Sequence, residues 1–145
     1  MRRLVLVLVA VLALAACGSG HKKSSSGPSG PSAQVQIKSA YVKFFAAKTP
    51  LSDRVALLQN GSRFRPVIRA FANNPLAKSA SATVSSVTLQ GQNDAKVVYS
   101  VKLGGASLGK QNGTAVRQDG KWKVGFASLC KLVSLSGTTP SACKS

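Results

Sequence analysis

The sequence predicts an α+β fold, with N-terminal helices packed in a curved four-stranded antiparallel sheet. Three observations carry this. Apolar residues recur at helical spacing between positions 34 and 73. Residues 95–103 and 121–126 alternate with period two. Asp119-Gly120, set between two such runs, is hairpin-turn chemistry.

Before the folded part comes an address. Met1-Arg2-Arg3 is a short positive segment, and residues 4–16 are an unbroken apolar run, LVLVLVAVLALAA. That run is shorter than the ~20 residues a spanning helix needs, and it suits a signal peptide over residues 1–16. It ends in Leu14-Ala15-Ala16-Cys17, which resembles a bacterial lipobox, where Cys17 receives fatty acyl chains of the palmitate type and becomes the first mature residue. An ordinary secretory signal with an incidental cysteine, or an N-terminal anchor, has the same charge and length. The lipobox reading uses all four features in register. More than one acyl chain makes anchoring stable, at ~0.8 kcal/mol per buried methylene. The expected location is therefore the outer face of the bacterial cytoplasmic membrane, with some release to the medium.

After Cys17, residues 18–33 are almost entirely Gly, Ser, Pro and Lys, with His21 among them, so that 17–33 forms one segment. Such a composition buries too little apolar surface to offset its ordering entropy, so it reads as a tether. The folded domain is expected over 34–136. Ile37, Tyr41, Phe44 and Phe45 share one face of a first helix. Thr49-Pro50 reads as N-cap and first turn of a second, with Val55 and Leu58 inward and Asn60-Gly61 ending it. A third runs from Ser62 or Arg65 to Asn73, with Phe64, Val67, Ile68 and Phe71 inward, and Asn73-Asn74-Pro75 stops it.

The strands follow. Val84, Val87 and Leu89 mark the first. Val97, Tyr99, Val101 and Leu103 share one face of the second. A Gly-rich turn containing Gly104, Gly105 and Gly109 leads to a third over 113–118, with Val116 inward and Arg117 outward. The fourth places Trp122, Val124 and Phe126 inward, and residues 127–135 either extend it or form a short helix. Residues 137–145 form a tail.

The segments TPLSDRVALLQNGSRF, VSSVTLQGQNDAKVVYSVKL and GTAVRQDGKWKVGFASLCKLVSL occur in this order and spacing. Over roughly residues 35–136 the chain resembles the C-terminal domain of the low-molecular-weight secreted antigens of mycobacteria and other actinobacteria. The resemblance implies a cystatin-like, nuclear transport factor 2-like cone, a curved sheet wrapped around helices, and it brings no established enzymatic activity. Related cones include isomerases and dehydratases, which need an inward Asp or His base beside a Tyr or protonated Asp.

The chain is poor in such parts. It has 20 Lys and Arg against 3 acidic residues, a formal net charge of +17. There is no Glu, and the carboxylates are Asp53, Asp94 and Asp119. Asp53 falls in the first turn of a helix, where a negative charge complements the dipole. Asp94 and Asp119 fall in turns. His21 in the tether leaves no Ser-His-Asp set, no metal-ligand cluster exists, and the Gly residues lie outside any strand-to-helix phosphate loop. A degenerate isomerase-like or dehydratase-like enzyme using Asp53 or Asp119 is the least favoured reading. The expectation is no catalysis, no cofactor and no metal.

Cys130 and Cys143 remain after lipidation, and an exported chain meets an oxidising environment, so they are expected to pair and staple the tail. Lys96, Lys102, Arg117, Lys121 and Lys123 are expected outward on the sheet, and Arg65 and Arg69, four apart on the third helix, make a second basic patch. The bland reading is a solubilising surface. The functional one is attraction to anionic lipid or a phosphate-bearing wall polymer. Nucleic acid fits the charge, but the outward positions lack stacking aromatics and the export signal leads away from it. A further reading is carriage of a small apolar ligand in the cone, lined by Tyr41, Phe45, Phe71, Tyr99, Val101, Trp122 and Phe126.

Overall fold

Helix α1 spans Ala33–Phe45 in a computed structural model that describes residues 31–144. The expected signal segment, Cys17 and the tether as far as residue 30 lie outside the described residues. The Ser32 side chain accepts a hydrogen bond from the Val35 amide at 3.4 Å, so Ser32, placed in the tether by composition, is the N-cap of α1. Ile37, Ala40, Tyr41, Phe44 and Phe45 line the buried face.

Helix α2, Leu51–Leu57, is one turn shorter than its apolar pattern implies. Pro50 occupies the cap position, while the Thr49 hydroxyl donates to the Lys43 carbonyl. The chain leaves α2 in extended form, and the Gln59 amide donates to the Val124 carbonyl at 2.8 Å. Asn60 has a left-handed φ of 52° and exchanges two hydrogen bonds with the Gln118 side chain. Helix α3, Arg65–Asn73, buries Val67 and Ile68, and a 3₁₀ turn follows over Pro75–Ser79.

The sheet is an open antiparallel meander in the order β1-β2-β3-β4: Ser81–Leu89, Asp94–Leu103, Ala106–Gln118 and Lys121–Val124. Helix α1 packs against both edge strands, β1 and β4, so the sheet curves around it. Two bulges adjust the pleat. Between Val84 and Ser86, residue Ser85 has no partner of its own on β2. This returns Val87 and Leu89 to the face of Ala82 and Val84, opposite Val97 and Ala95. Between Ser100 and Lys102, Leu108 and Gly109 together oppose Val101, and Gly109 takes a φ of 70° that suits glycine.

Three expectations change here. β3 begins at Ala106 and not at 113, so Gly109 is a bulge residue inside a strand and not part of a turn. Arg117 stands directly opposite Trp122, and Val116 opposite Lys123 and Asp94. Directly opposed residues share a face, so Val116 is outward, and Arg117 has the inward parity at the exposed end of its strand. A β-branched residue favours a strand whichever face it occupies, which is why Val116 misleads. Finally, β4 stops at Val124, and Phe126 opens a fourth helix, α4, Phe126–Ser134.

Candidate functional site

The interior expected to form a cavity is filled by its own side chains. Tyr41, Phe45, Tyr99 and Val101 are fully buried and Trp122 nearly so. Phe45 stacks on Tyr99 at 5.7 Å, Tyr41 tilts against Tyr99 at 4.9 Å, and Phe126 stacks on Phe64 at 5.3 Å. Of the seven residues expected to line a cavity, Phe71 is the one that does so, at a different place.

A buried polar knot sits among these rings. The Tyr41 hydroxyl donates to the Thr114 carbonyl at 2.6 Å, and Ser128 Oγ lies 2.9 Å from the Tyr41 hydroxyl and 3.4 Å from that carbonyl. The carbonyl only accepts, so the Tyr41 hydrogen goes to it and Ser128 donates to Tyr41. Ser128 Oγ in turn accepts the Thr114 amide at 3.0 Å. Gly113 makes room, since a Cβ there would come within 2.6 Å of both oxygens. Burial holds the Tyr41 phenol well above its usual range and pushes Tyr99 up to about 12. Neither tyrosine faces a carboxylate: Asp53 and Asp94 are exposed, and Asp119 is 79 % exposed, 3.6 Å from the Lys123 ammonium. Among the described residues no three His, Cys, Asp or Glu side chains converge as metal ligands.

Sequence reasoning missed Arg54. It is 1 % exposed, at i+3 from Leu51 and i−4 from Leu58, which puts it on the apolar stripe of α2. Its Nη2 donates to the carbonyls of Ala46 and Ala47, its Nε to that of Thr49, and its Nη1 has no hydrogen-bond partner. The guanidinium carbon lies 5.4 Å from the Phe71 ring centroid. Burial pulls its pKa below the ordinary value. No carboxylate pairs with it among the described residues.

Two surfaces remain open. The helices cover the inner face of the sheet, and the outer face carries Lys96 between Thr88 and Thr114, Lys102 between Ser81 and Ser107, Lys110 opposite Ser100, and Lys121 and Lys123 on β4. Lys110 joins this face because β3 is longer than its alternation suggests, and Arg117 leaves it. Arg65 and Arg69 are exposed on α3, away from the sheet strands, beside a shallow depression with Pro66 and Asn73.

The second surface is a groove of about 650 Å³ between α3, the 3₁₀ turn, the end of β2, α4 and the C-terminal segment. Ala70 and Phe71 line it from α3, Leu76 from the turn, Leu132 from α4, and Pro140 and Ala142 from the tail. The tail is held there by the Cys130–Cys143 disulfide, with the two Cα atoms 5.6 Å apart. The chain-entropy model gives roughly 3 kcal/mol for a loop of this size.

Fold and site define a small α+β domain, helices on one face of an open antiparallel sheet, closed by a C-terminal disulfide. The family model described as low molecular weight antigen MTB12, C-terminal domain, matches residues 30–140, and the chain belongs to that family. No curated protein matches the sequence. Among the described residues no helix is long and apolar enough to cross a membrane.

Proposed function

We propose that this is an exported, non-catalytic binding domain, lipid-anchored through Cys17, whose outer sheet face meets anionic lipid or wall polymer. The observation that carries the reading is the one-sidedness of the fold. The helices pack on the inner face, and the opposite face bears Lys96, Lys102, Lys110 and Lys121, all exposed and set among Ser and Thr, with Lys123 largely covered beside them. The opposing acidic groups there are Asp94 at its corner and Asp119, already engaged with Lys123. The filled interior and the exposed positions of Asp53, Asp94 and Asp119 favour binding over acid–base chemistry.

The test is binding to vesicles of anionic lipid, or to isolated wall polymer, across a salt series. Exposed charges are screened within ~10 Å at 0.1 M, so binding falls steeply with salt. Replacing Lys96, Lys102, Lys110 and Lys121 by Glu abolishes it, while Arg117→Glu leaves most of it. If reversing Lys22 and Lys23 abolishes binding instead, the tether reads the charge. If no variant changes it, the basic composition serves solubility. Cys17→Ala moves the protein out of the membrane fraction, and its retention there with the signal cleaved refutes the lipid anchor.

A second reading rests on the groove. Its volume falls within the roughly 300–1,000 Å³ of small-molecule pockets, and its lining is mostly apolar. Carriage of a small apolar ligand, expected in the cone interior, then belongs at this groove.

A further inference from the structure

The C-terminal segment has the parts of a hinged wall. Gly137, just past α4, takes a φ of 84°, a conformation that glycine enters freely, and no atom lies within 4 Å of where a Cβ there would stand. Thr138, Pro140, Ser141 and Ala142 line the groove, and Cys143 closes the segment onto Cys130 of α4. The hydrogen bonds of residues 138–144 stay inside the segment, from the Cys143 amide to the Pro140 carbonyl and from the Lys144 amide to the Ser141 carbonyl. No hydrogen bond or ion pair joins these residues to the rest of the described fold. Pro140, Ala142 and Cys143 are half-buried, while Thr138, Thr139 and Ser141 are exposed. Three small half-buried side chains return less than the ordering of the whole segment costs, so the disulfide is what keeps it in place. Cys130 is half-buried as well, so the bond is within reach of an attacking thiol.

Taking apolar carriage in this groove as given, we propose that the segment is a redox-latched gate. With Cys130 and Cys143 as thiols it swings on Gly137 and the groove loads; the disulfide closes the wall on the bound molecule. The latch forms by thiol–disulfide exchange. The thiolate of one cysteine attacks the disulfide of an exported oxidoreductase, and the other cysteine then displaces that protein from the mixed disulfide. One S–S bond forms here as one breaks there. Two electrons and two protons pass from Cys130 and Cys143 to the oxidoreductase, which leaves as a dithiol. An exported chain meets its oxidant only after crossing the membrane, so loading precedes closure, and release calls for a dithiol reductant.

The test uses the full chain, oxidised or reduced with a phosphine, and N-phenyl-1-naphthylamine, an uncharged apolar fluorophore, as the probe. One saturable site is expected, filled at once in the reduced chain and slowly or not at all in the oxidised one. Reduction quickens both entry and release at least tenfold in stopped flow, and reoxidation restores the slow rates. Probe loaded before oxidation stays with the protein through gel filtration. Cys143→Ser behaves as the reduced chain with or without phosphine. Ala70→Trp, which fills the groove from an exposed position, removes the site in either state. The near-UV circular dichroism of the buried Trp122 reports the fold and is unchanged throughout. Absence of saturable binding in both states overturns apolar carriage, and the gate with it. Binding with equal rates in both states overturns the gate and leaves carriage standing. Faster release with unchanged entry does the same, because the segment is then a wall that does not move to admit the probe. Loss of the near-UV signal in both the reduced chain and Cys143→Ser shows that the disulfide holds the fold itself, and overturns the gate. Binding that survives Ala70→Trp overturns the groove as its site.

Discussion

The Tyr41 hydroxyl and Ser128 Oγ meet at 2.9 Å, joining α1 to α4 across 87 residues of chain. Both groups are buried, and both are fully used: Tyr41 donates to Thr114 and accepts from Ser128, which accepts from the Thr114 amide. Removing the Tyr41 hydroxyl leaves the Thr114 carbonyl with the Gly125 amide and with Ser128 at 3.4 Å, and removing that of Ser128 takes the acceptor from the Thr114 amide; losing such a partner in a dry site costs about 1–3 kcal/mol. Tyr41→Phe and Ser128→Ala are each expected to lower stability in that range in urea unfolding. The double variant should cost less than the sum, with a coupling above about 0.5 kcal/mol. Strict additivity would show that the two hydroxyls do not act as a pair.

Alkaline pH should find the same tyrosines. Their folded-state pKa values lie above the unfolded value of about 10, Tyr99 at about 12 and Tyr41 higher. The unfolded chain therefore releases these protons first, and stability falls as pH rises. The contribution is whole below pH 10 and is lost as pH rises through about 12. The informative quantity is the difference between the unaltered protein and Tyr41→Phe/Tyr99→Phe. The unaltered protein should lose more stability between pH 9 and 11.5 than the double variant, by urea midpoint. Parallel pH profiles would rule the effect out.

Arg54 holds the carbonyls of Ala46, Ala47 and Thr49, the segment that turns α1 into α2. Hydrogen bonds from a charged donor contribute about 1.5–3 kcal/mol. Arg54→Met keeps the apolar stem and takes the guanidinium from three carbonyls, of which that of Ala46 keeps the Thr49 amide, and a loss of at least about 2 kcal/mol is expected. Arg54→Lys restores the charge without the planar fork and should recover part of it. If Met proves as stable as Arg, the loop holds its shape without the guanidinium.

The periodicities were enough for the layers. Ile37 to Phe45 and Val97 to Val101 read correctly because a single face of each is buried. What failed depended on how the chain folds back on itself, at short range as well as long. Arg54 lies on an apolar stripe, but nothing nearby in sequence shows that three carbonyls will receive it. Arg117 was misplaced because its face is fixed by pairing with Trp122, and apolar Val116 beside it pointed the other way. The interior read as a cavity because side-chain volume cannot be summed before the rings are known to pack on one another. The groove was invisible for a related reason: its walls come from α3, α4 and a tail that a disulfide brings back.

Ser85 has a consequence for how this chain tolerates changes of length. Without it, β1 would read Ala82, Thr83, Val84, Ser86, Val87, Thr88, Leu89, an uninterrupted alternation with the same residues against the core. Because Ser85 and Ser86 are the same residue, deleting either gives the same chain, and this Ser-Ser pair is the place in the strand where a deletion preserves which side chains are wet and which are dry. Losing Thr83 or Thr88 instead, with the bulge kept, would exchange the two faces of whatever lies beyond. A strand that looks uniformly Ser- and Thr-rich thus has a single joint where a codon can be removed.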